Sequence, residues 1–331
     1  MTPTPRPETG MAPPVLAITG ATGFIGQAVL RAACQDGWQP RLLVRRFPRA
    51  CLAAGSRIDI VLGDLDDAAG LRELVTGAAA VIHLAGLIKA LNRHDFFVAN
   101  ADGTARLLEA ADAANAAAAI IHVSSLAARE PRLSPYAASK AAGEDRVRQL
   151  AGDKSWVIIR PPAVYGPGDP ATLPLFKAAA MGFLPYPAAA DARLSLIHVH
   201  DLARAILAVA RQLVAGTLPS GFTVELDDGH AGGYRWDEII QALAQAVGHP
   251  VRSMRLPRGL LWPIAAANGL RGAVTHRPEV LTIAKLAELY HPNWGAGDAR
   301  LPAKCDWRPE FTLEKGFSDT IDWYRKHSFI S

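Results

Sequence analysis

The sequence has few cysteines, no long apolar run and no large excess of charge of either sign. Its three cysteines, Cys34, Cys51 and Cys305, are too scattered for a disulfide framework or a zinc site, so a reducing compartment fits best. No run approaches the roughly 18 apolar residues of a membrane-spanning helix, so none is expected. A net charge of +4 permits contact with anionic cofactors or lipid head groups. It lacks the Lys/Arg density of a nucleic-acid-binding protein.

The size and composition are those of a folded α/β protein. A chain of 331 residues, half of them hydrophobic, can form one large domain and an attached smaller lobe. The first residues, MTPTPRPETGMAPP, contain five prolines and no apolar run. We therefore expect a disordered tail over residues 1–13, not a signal peptide. The expected location is cytoplasmic, with the inner face of the membrane as an alternative.

Short apolar runs alternate with alanine-rich helical stretches over the first half of the chain. The runs are VLAIT (15–19), RLLV (41–44), IDIVLG (58–63), AVIHLAG (80–86), AIIHVSS (119–125) and WVIIRP (156–161). Strands that alternate with helices pair in parallel, so the sequence predicts a Rossmann-like doubly wound parallel sheet.

The pattern changes after about residue 168, where proline, glycine and aromatic residues become more frequent. We predict a nucleotide-binding domain over 14–168, completed by a returning segment at about 194–226. Residues 169–193 and 227–331 then form a smaller substrate-binding lobe, with helices near 236–247 and 279–290. The fold class is thus α/β with a carboxy-terminal lobe.

A glycine-rich turn follows the first predicted strand. In VLAITGATGFIG, Gly20, Gly23 and Gly26 allow a tight turn, close approach of a pyrophosphate and close packing of the next helix. This strand-to-helix position predicts a dinucleotide site. The predicted contacts of the turn are Gly20, Thr22, Gly23, Phe24, Ile25 and Gly26.

The residues after the second strand bear on the choice of dinucleotide. NAD sites usually carry an acidic residue there, but this chain has Arg45 and Arg46, which suit a 2′-phosphate. NADP(H) is therefore favoured over NAD(H). The alternative is that both arginines are solvated and bind no phosphate. Asp64, after the third strand, is a candidate adenine contact.

Eight motifs, taken together, resemble the extended short-chain dehydrogenase/reductase family over about residues 15–210, and more loosely to the end. In chain order they are GATGFIG (20–26), GDL (63–65), HLAG (83–86), NADGT (100–104), VSS (123–125), YAASK (136–140), RPPAVYGPGD (160–169) and IHVHDLA (197–203). The resemblance implies a Rossmann-type oxidoreductase. It also implies further cofactor contacts, at Asp64, Leu65, Leu84, Ala85, Gly86, Tyr136, Lys140, Pro161, Ala163 and Val164.

The same resemblance assigns roles to four residues. Tyr136 corresponds to the proton donor and acceptor, Lys140 to the lysine that holds the nicotinamide ribose, and Ser125 to the group that polarises the substrate carbonyl. Asn100 matches a fourth member of the site. Tyrosine and lysine at i, i+4 share a helix face, and a nearby ammonium and an oxidised nicotinamide both favour phenolate. We therefore expect the pKa of Tyr136 to lie below its ordinary value of about 10.

Departures from the family pattern narrow the reaction. Leu126 and Ala127 follow Ser125, where sugar-nucleotide dehydratases of the family carry acidic residues, so dehydration is disfavoured. The interval from Ser125 to Tyr136 is short compared with many sugar epimerases. It is similar to that of bacterial reductases of lipids and of the nucleotide-binding accessory subunit of respiratory complex I.

Three further features leave alternatives open. His198 and His200 suggest a metal, but no third ligand is evident, and IHVHDLA is interpreted as a packing motif. Arg193 is a candidate substrate contact. The segment SMRLPRGLLWPIAAANGLRGAVTHR (253–277) has an apolar centre and flanking arginines. It suits a core helix, a lid over an apolar substrate or a peripheral membrane contact.

The leading hypothesis is an NADP(H)-dependent reductase of a ketone on a lipid-like molecule. The short Ser125–Tyr136 interval, the segment 253–277 and the ending NWGAGDARLPAKCDWRPEFTLEKGFSDTIDWYRKH resemble bacterial 3-keto-lipid reductases of the sphingolipid or ceramide type. The alternatives are a sugar-nucleotide epimerase with bound NAD and a non-catalytic NADPH-binding accessory subunit. No metal is expected, the partner is a small molecule, and a homodimer is compatible with the sequence.

Overall fold

The computed structural model describes residues 12–47, 57–114, 116–279, 281–303 and 305–330. Residues 1–11 of the predicted tail and Cys51 lie outside the described residues. The strands within these ranges are β1 (Val15–Thr19), β2 (Gln39–Val44), β3 (Asp59–Leu62), β4 (Ala80–His83), β5 (Ala119–Val123), β6 (Trp156–Arg160), β7 (Ala163–Tyr165), β8 (Phe183–Pro187), β9 (Arg193–Leu194), β10 (Leu196–His198), β11 (Phe222–Glu225), β12 (Tyr234–Arg235), β13 (Arg252–Leu256) and β14 (Asn293–Trp294).

The helices alternate with the strands in the first half and cluster in the second. They are α1 (Phe24–Gln35), α2 (Ala68–Val75), α3 (Arg93–Phe97), α4 (Gly103–Ala113), α5 (Pro135–Leu150), α6 (Leu173–Ala180), α7 (Val199–Val214), α8 (Trp236–Val247), α9 (Arg258–Thr275), α10 (Ile283–Leu289) and α11 (Leu313–Lys326). A π-helical turn, Val98–Asp102, joins α3 to α4, and a 3₁₀ turn, Leu126–Arg129, follows β5.

A seven-stranded parallel sheet in the order β11-β6-β5-β4-β1-β2-β3 forms the centre of the molecule. The strands are continuous apolar runs because helices cover both faces of the sheet. Helices α1 and α7 pack on one face, and α2, α4 and α5 cover the other. The predicted Rossmann-like class is confirmed, and the strand order reverses between β1 and β4, where such sheets open a ligand crevice.

Several predicted strands end earlier than expected. Gly63, Leu84 and Ser125 were placed within strand-like runs, but β3, β4 and β5 end at Leu62, His83 and Val123. The residues beyond these ends leave the sheet at its carboxyl edge, which is where the ligand crevice of such a sheet lies.

The carboxy-terminal part of the chain is built from three small sheets and a separate core. The sheets pair β10 with β7, β13 with β8, and β9 with both β12 and β14. Aromatic side chains fill the core; the rings of Phe176 and Phe317 pack edge-to-face at 5.2 Å, and Phe317 packs on Tyr165 at 5.0 Å. Such edge-to-face pairs stabilise a core beyond their buried area. The predicted domain boundaries stay predictions.

The segment 253–277 is not a core helix. It forms β13 and α9. Most of the large apolar side chains of α9 are exposed, whereas Leu261 is partly buried and Ala265 is fully buried. The core interpretation was therefore wrong, because most of the large apolar side chains of α9 face away from the protein. Within the described ranges, no helix has both the length and the apolar composition needed to cross a bilayer.

Candidate active site and cofactor cleft

The turn after β1 requires glycine at two positions. Gly20 has a positive φ of 73°, and a Cβ there would lie 2.6 Å from the backbone nitrogen of Ala85. A Cβ on Gly26 would overlap the carbonyl oxygen of Gly20. The turn is therefore pressed against the end of β4 and against the first turn of α1, and only glycine allows both approaches.

The amino terminus of α1 is open to an anion. Its N-cap is Gly23, no side chain caps the helix, and its first turn carries no acidic residue. The first backbone N–H groups of a helix have no partner within the helix, and the helix dipole favours negative charge there. This arrangement fits the pyrophosphate of a dinucleotide, which Gly20, Gly23 and Gly26 would approach through their backbone.

The other predicted cofactor contacts follow the parallel strands at the same edge of the sheet. Arg45 and Arg46 are exposed directly after β2. The remaining contacts come after β3, β4 and β6, respectively, and are Asp64 and Leu65; Leu84, Ala85 and Gly86; and Pro161, Ala163 and Val164. The structure thus brings these residues to one edge, on either side of the point where the strand order reverses.

Ser125 and Tyr136 are placed by two local caps. Ser125 caps the 3₁₀ turn after β5, and its Oγ accepts a hydrogen bond from the backbone nitrogen of Ala127 at 3.2 Å. Ser134 caps α5, accepting from Ala137 N at 3.0 Å, and Pro135 occupies the first helical position. A Ser-Pro start is a strong helix signal, and it fixes Tyr136 in the first turn, facing Ser125.

The pKa of Tyr136 is raised to about 12, whereas the spacing of Tyr136 and Lys140 predicts a lowered value. Burial is the main cause, a hydrogen bond with Ser125 acts in the opposite direction, and the carboxylate of Glu288 raises it further. The expectation relied on Lys140, but the cost of burying a phenolate outweighs it in the protein alone. A phenol that stays protonated at neutral pH can donate a proton to a developing alkoxide.

Lys140 lies on α5 one turn after Tyr136 and is only 7% exposed. Its ammonium donates to the carbonyl oxygen of Val123 at 2.9 Å, at the end of β5. Burial lowers its pKa to about 8, although the carboxylate of Glu144 acts in the opposite direction. Lys140 is thus a cation near neutral pH whose charge is sensitive to mildly alkaline conditions.

Asn100 lies in the π-helical turn and connects two parts of the site. Its Oδ1 accepts from the backbone nitrogen of Leu87 at 2.7 Å, and its Nδ2 donates to Leu87 O at 3.0 Å and to Ser139 Oγ at 2.8 Å. π-Helical turns are frequent at functional sites. The amide therefore holds the loop after β4 against α5, next to Lys140.

Glu144 and Arg160 form an ion pair next to Ser124, the residue before Ser125. Arg160 donates two hydrogen bonds of 2.7 Å to the Glu144 carboxylate, which also accepts from Ser124 Oγ at 2.7 Å. Although burial acts in the opposite direction, these bonds hold the pKa of Glu144 below its ordinary value. The pair ties α5, β5 and β6 together beneath the site.

Sequence reasoning missed Glu288 on α10. Its buried carboxylate accepts a hydrogen bond from the hydroxyl of Ser134, which is the N-cap of α5. The same carboxylate forms an ion pair with the Lys285 ammonium at 2.6 Å. Ser134 and Glu288 are 154 residues apart, so no local pattern could have revealed the contact. Through it, the carboxy-terminal region touches the start of the helix that carries Tyr136.

Arg193, the predicted substrate contact, lies on a small sheet of the carboxy-terminal part. Arg193 lies on β9, exposed, with its guanidinium 3.4 Å from the carbonyl oxygen of Gly233. Among the described residues, no hydrogen bond joins the Arg193 side chain to Ser125 or Tyr136. Its strand pairs with β14, which Arg129 ties to the 3₁₀ turn after Ser125 by donating to Asn293 O at 2.9 Å.

The structure supplies the third ligand that the sequence did not show beside His198 and His200. Asp319 lies 3.3 Å from Nε2 of the buried His198, and a hydrogen bond with that histidine lowers the pKa of Asp319. His198 Nδ1 accepts from the backbone nitrogen of His200, which leaves the ring proton on Nε2, facing the carboxylate. The contact between His198 and Asp319 joins the end of β10 to α11.

Comparisons with known proteins agree with this architecture. The sequence profile of the NAD dependent epimerase/dehydratase family matches residues 16–224. The crystal structure of gox2253 superposes with a TM-score of 0.72 at 22% identity, covering 96% of this chain and 99% of that one. MoeE5 in complex with UDP-glucose and NAD gives a TM-score of 0.70 at 21% identity, covering 95% and 99%. The two structures show the fold.

Two relatives that this chain matches over nearly their full length are named as reductases. The ceramide reductase of Caulobacter vibrioides is 44% identical over 316 residues, 96% of either chain. The 2-alkyl-3-oxoalkanoate reductase of Stenotrophomonas maltophilia is 26% identical over 336 residues, covering 90% of this chain and 96% of the relative.

The fold and site thus define an NAD(P)-dependent oxidoreductase with a small-molecule substrate. The chain belongs to the NAD dependent epimerase/dehydratase family, the extended branch of the short-chain dehydrogenases/reductases.

Proposed function

We propose that this protein uses NADPH to reduce the 3-keto group of a long-chain lipid of the ceramide type. The observation that carries the proposal is the 44% identity, across 96% of either chain, to a ceramide reductase. The named substrate belongs to that relative. Its transfer to this chain is supported by the presence of Ser125 just after β5 and of Tyr136 and Lys140 on α5.

The residues divide the work of carbonyl reduction. The bound dinucleotide supplies a hydride for the carbonyl carbon. Ser125 donates a hydrogen bond to the carbonyl oxygen as negative charge develops there, a contact whose loss costs about a hundredfold or more. Tyr136 transfers its phenolic proton to that oxygen, giving the alcohol. Its raised pKa keeps the phenol in the protonated form that the reduction requires.

Lys140 has a supporting role in this scheme. Its ammonium, held by Val123 O, lies one helical turn from Tyr136, where it would bind the ribose next to the nicotinamide. A cation there stabilises the phenolate left after proton transfer. Asn100 holds the adjoining loop against the same helix.

NADPH is proposed over NADH because of the charge after β2. Arg45 and Arg46 are both exposed at the carboxyl edge of the sheet. They stand where an NAD site usually has an acidic residue that binds the ribose 2′-hydroxyl. Guanidinium groups bind phosphate through charge-assisted hydrogen bonds. Replacing both by serine should weaken NADPH binding and leave NADH binding nearly unchanged.

The deciding experiment follows NADPH oxidation with long-chain 3-keto lipids and with sugar nucleotides. Wild type should oxidise NADPH with a 3-keto lipid, and Tyr136→Phe should lower kcat by about 10²- to 10⁴-fold without changing the Kd for NADPH. Tyr186→Phe is the matched control, because its ring stacks on Trp236 in the carboxy-terminal region. Tight NADPH binding without turnover of any ketone would instead indicate an accessory subunit, and an inverted sugar product would indicate an epimerase.

A further inference from the structure

We propose that β13 and α9 form a membrane-docking surface, which binds a bilayer rich in anionic phospholipids. This surface is called the docking face below and comprises residues 252–277. The inference deepens the proposed function, since a two-chain 3-keto lipid is held in a membrane and must be collected there.

The charge of the docking face is of one sign. Between Glu238 and Glu279 the sequence contains no Asp or Glu. It contains five arginines, Arg252, Arg255, Arg258, Arg271 and Arg277. All five are exposed, and the Arg271 guanidinium is paired with Glu279 at 2.7 Å. The others have no ion-pair partner among the residues that the structure describes. A basic cluster without acidic neighbours is attracted to anionic lipid head groups.

Large apolar side chains stand among these arginines. On α9, Leu270 is 70% and Val274 72% exposed, while Leu260 and Ile264 are exposed by half or more. Residues at these positions fall within about 120° of one another around a helix. Trp262 and, on β13, Met254 are also about half exposed. Exposed leucine, tryptophan and arginine on one short helix are typical of an element that lies in the interface of a bilayer.

The protein covers only the narrow side of α9. Ala265 is fully buried and Gly272 is buried, and α9 packs on α10. Asn268 donates to the carbonyl oxygen of Leu281 at 3.2 Å. Leu261, which is partly buried, is the large apolar residue of α9 on the covered side, and the other large apolar residues of the helix face outward. The pattern is therefore the reverse of a helix that buries its apolar face in its own core. The outward face therefore needs a partner that is apolar at its centre and anionic at its rim.

The docking face is connected to the catalytic helix through α10. The hydroxyl of Tyr290, at the end of α10, donates a hydrogen bond of 2.6 Å to the carbonyl oxygen of Leu256 on β13. Near the same end of α10, Glu288 binds Ser134, two residues before Tyr136. A lipid that leaves the bilayer beside α9 would thus have one short helix to pass before it reached the Tyr136 phenol.

The test measures binding to vesicles in the presence of NADPH. The probes are vesicles of phosphatidylcholine alone and of phosphatidylcholine with phosphatidylglycerol, in a sedimentation assay. We expect binding to the anionic vesicles only. Arg255→Glu/Arg258→Glu should weaken it by at least about twentyfold, since each basic residue near an anionic surface contributes about a factor of five. Leu270→Ser/Val274→Ser should weaken it about tenfold or more, because two apolar side chains no longer enter the interface.

Two controls keep the inference separable from the proposed function. Arg31→Glu/Lys326→Glu makes the same change in net charge at exposed positions elsewhere, and it should bind vesicles almost as wild type does. Turnover of a short-chain, water-soluble 3-keto substrate should be equal in all variants. Equal vesicle binding by the docking-face and control variants would overturn the inference, as would a shift from dimer to monomer in Leu270→Ser/Val274→Ser without any vesicle binding. Failure of turnover alone would count against the proposed reaction.

Discussion

Two glycines of the turn after β1 and two glycines of α9 have opposite surroundings. Gly20 and Gly26 are so closely approached that any side chain would collide with backbone, whereas Gly259 and Gly269 have nothing within 4 Å of an added Cβ. The turn after β1 is closely packed by backbone, whereas the outward side of α9 is not covered at these two positions. A dinucleotide carries a pyrophosphate of defined charge and size, which is bound by close contact with backbone N–H groups. A lipid surface is fluid and requires only exposed apolar and basic side chains.

The two regions meet at one buried contact. The carboxylate of Glu288, on α10, accepts a hydrogen bond from the hydroxyl of Ser134, which caps α5 in the nucleotide-binding part. The same carboxylate raises the pKa of Tyr136. The substrate side of the molecule thus influences the proton donor directly, and changes on either side of this contact should separate the two regions experimentally.

The largest effect is expected from Gly26→Ala. The new methyl group would overlap the carbonyl oxygen of Gly20, and neither the turn nor α1 can withdraw without leaving the pyrophosphate site. We expect the Kd for NADPH to rise about a hundredfold or more, equivalent to about 2.7 kcal/mol. Fluorescence titration with NADPH measures it, and Gly269→Ala serves as the control. Unchanged affinity in Gly26→Ala would show that the turn does not hold the dinucleotide.

A smaller effect is expected from the charge of Lys140. Since burial lowers its pKa to about 8, the ammonium loses its proton as the pH rises through that value, and the binding form becomes scarcer. The Kd for NADPH should therefore rise by up to about tenfold per pH unit above pH 8. Lys140→Met should bind weakly at every pH with a flat profile. Lys154→Met removes an ion pair between the turn after α5 and Asp112 on α4, and it should keep the wild-type profile.

The contact between the two regions is probed by Glu288→Gln. The amide can still accept from Ser134, but the negative charge that raises the pKa of Tyr136 is gone. In the oxidative direction, which needs the phenolate, the alkaline rise of kcat/KM should move to lower pH by about half a unit to one unit. Ser134→Ala, which loses the helix cap, should lower the free energy of unfolding by about 1 kcal/mol.

An exposed carboxylate provides the control for this experiment. Glu109→Gln alters an exposed glutamate on α4 and should leave the pH profile in place. A Glu288→Gln profile that coincided with wild type, in a protein of unchanged stability, would restrict Glu288 to a structural role.

Features with a local cause could be predicted from the sequence. Six of the seven strands of the central sheet were predicted as apolar runs, except for their ends, whereas β11 was not among those runs. Helix α8 lies where the apolar period placed it, at Trp236–Val247. The glycine turn after β1 and the Ser134–Pro135 start of α5 depend on neighbouring residues only. That is why the positions of Tyr136 and Lys140 followed from the chain itself.

Features that depend on distant residues could not be predicted. Asp319 lies beside His198, and Glu288 beside Ser134, through packing of helices far apart in sequence. The direction of the pKa shift of Tyr136 depends on burial, which the sequence does not give. The segment 253–277 was ambiguous because α9 carries apolar residues on both faces, and only the fold shows which of them are exposed.

The smallest effect is expected from Gly269→Ala, at the outward side of α9. Nothing lies within 4 Å of the added methyl group, and Gly269 does not have a positive φ. Glycine within a helix costs about 1 kcal/mol relative to alanine because its unfolded backbone is freer. The free energy of unfolding in urea should therefore rise by about 0.5 to 1 kcal/mol, with the Kd for NADPH unchanged. Destabilisation instead would mean that α9 is closely covered in the protein in solution, and the contrast with Gly26 would then fail, because both regions would be closed.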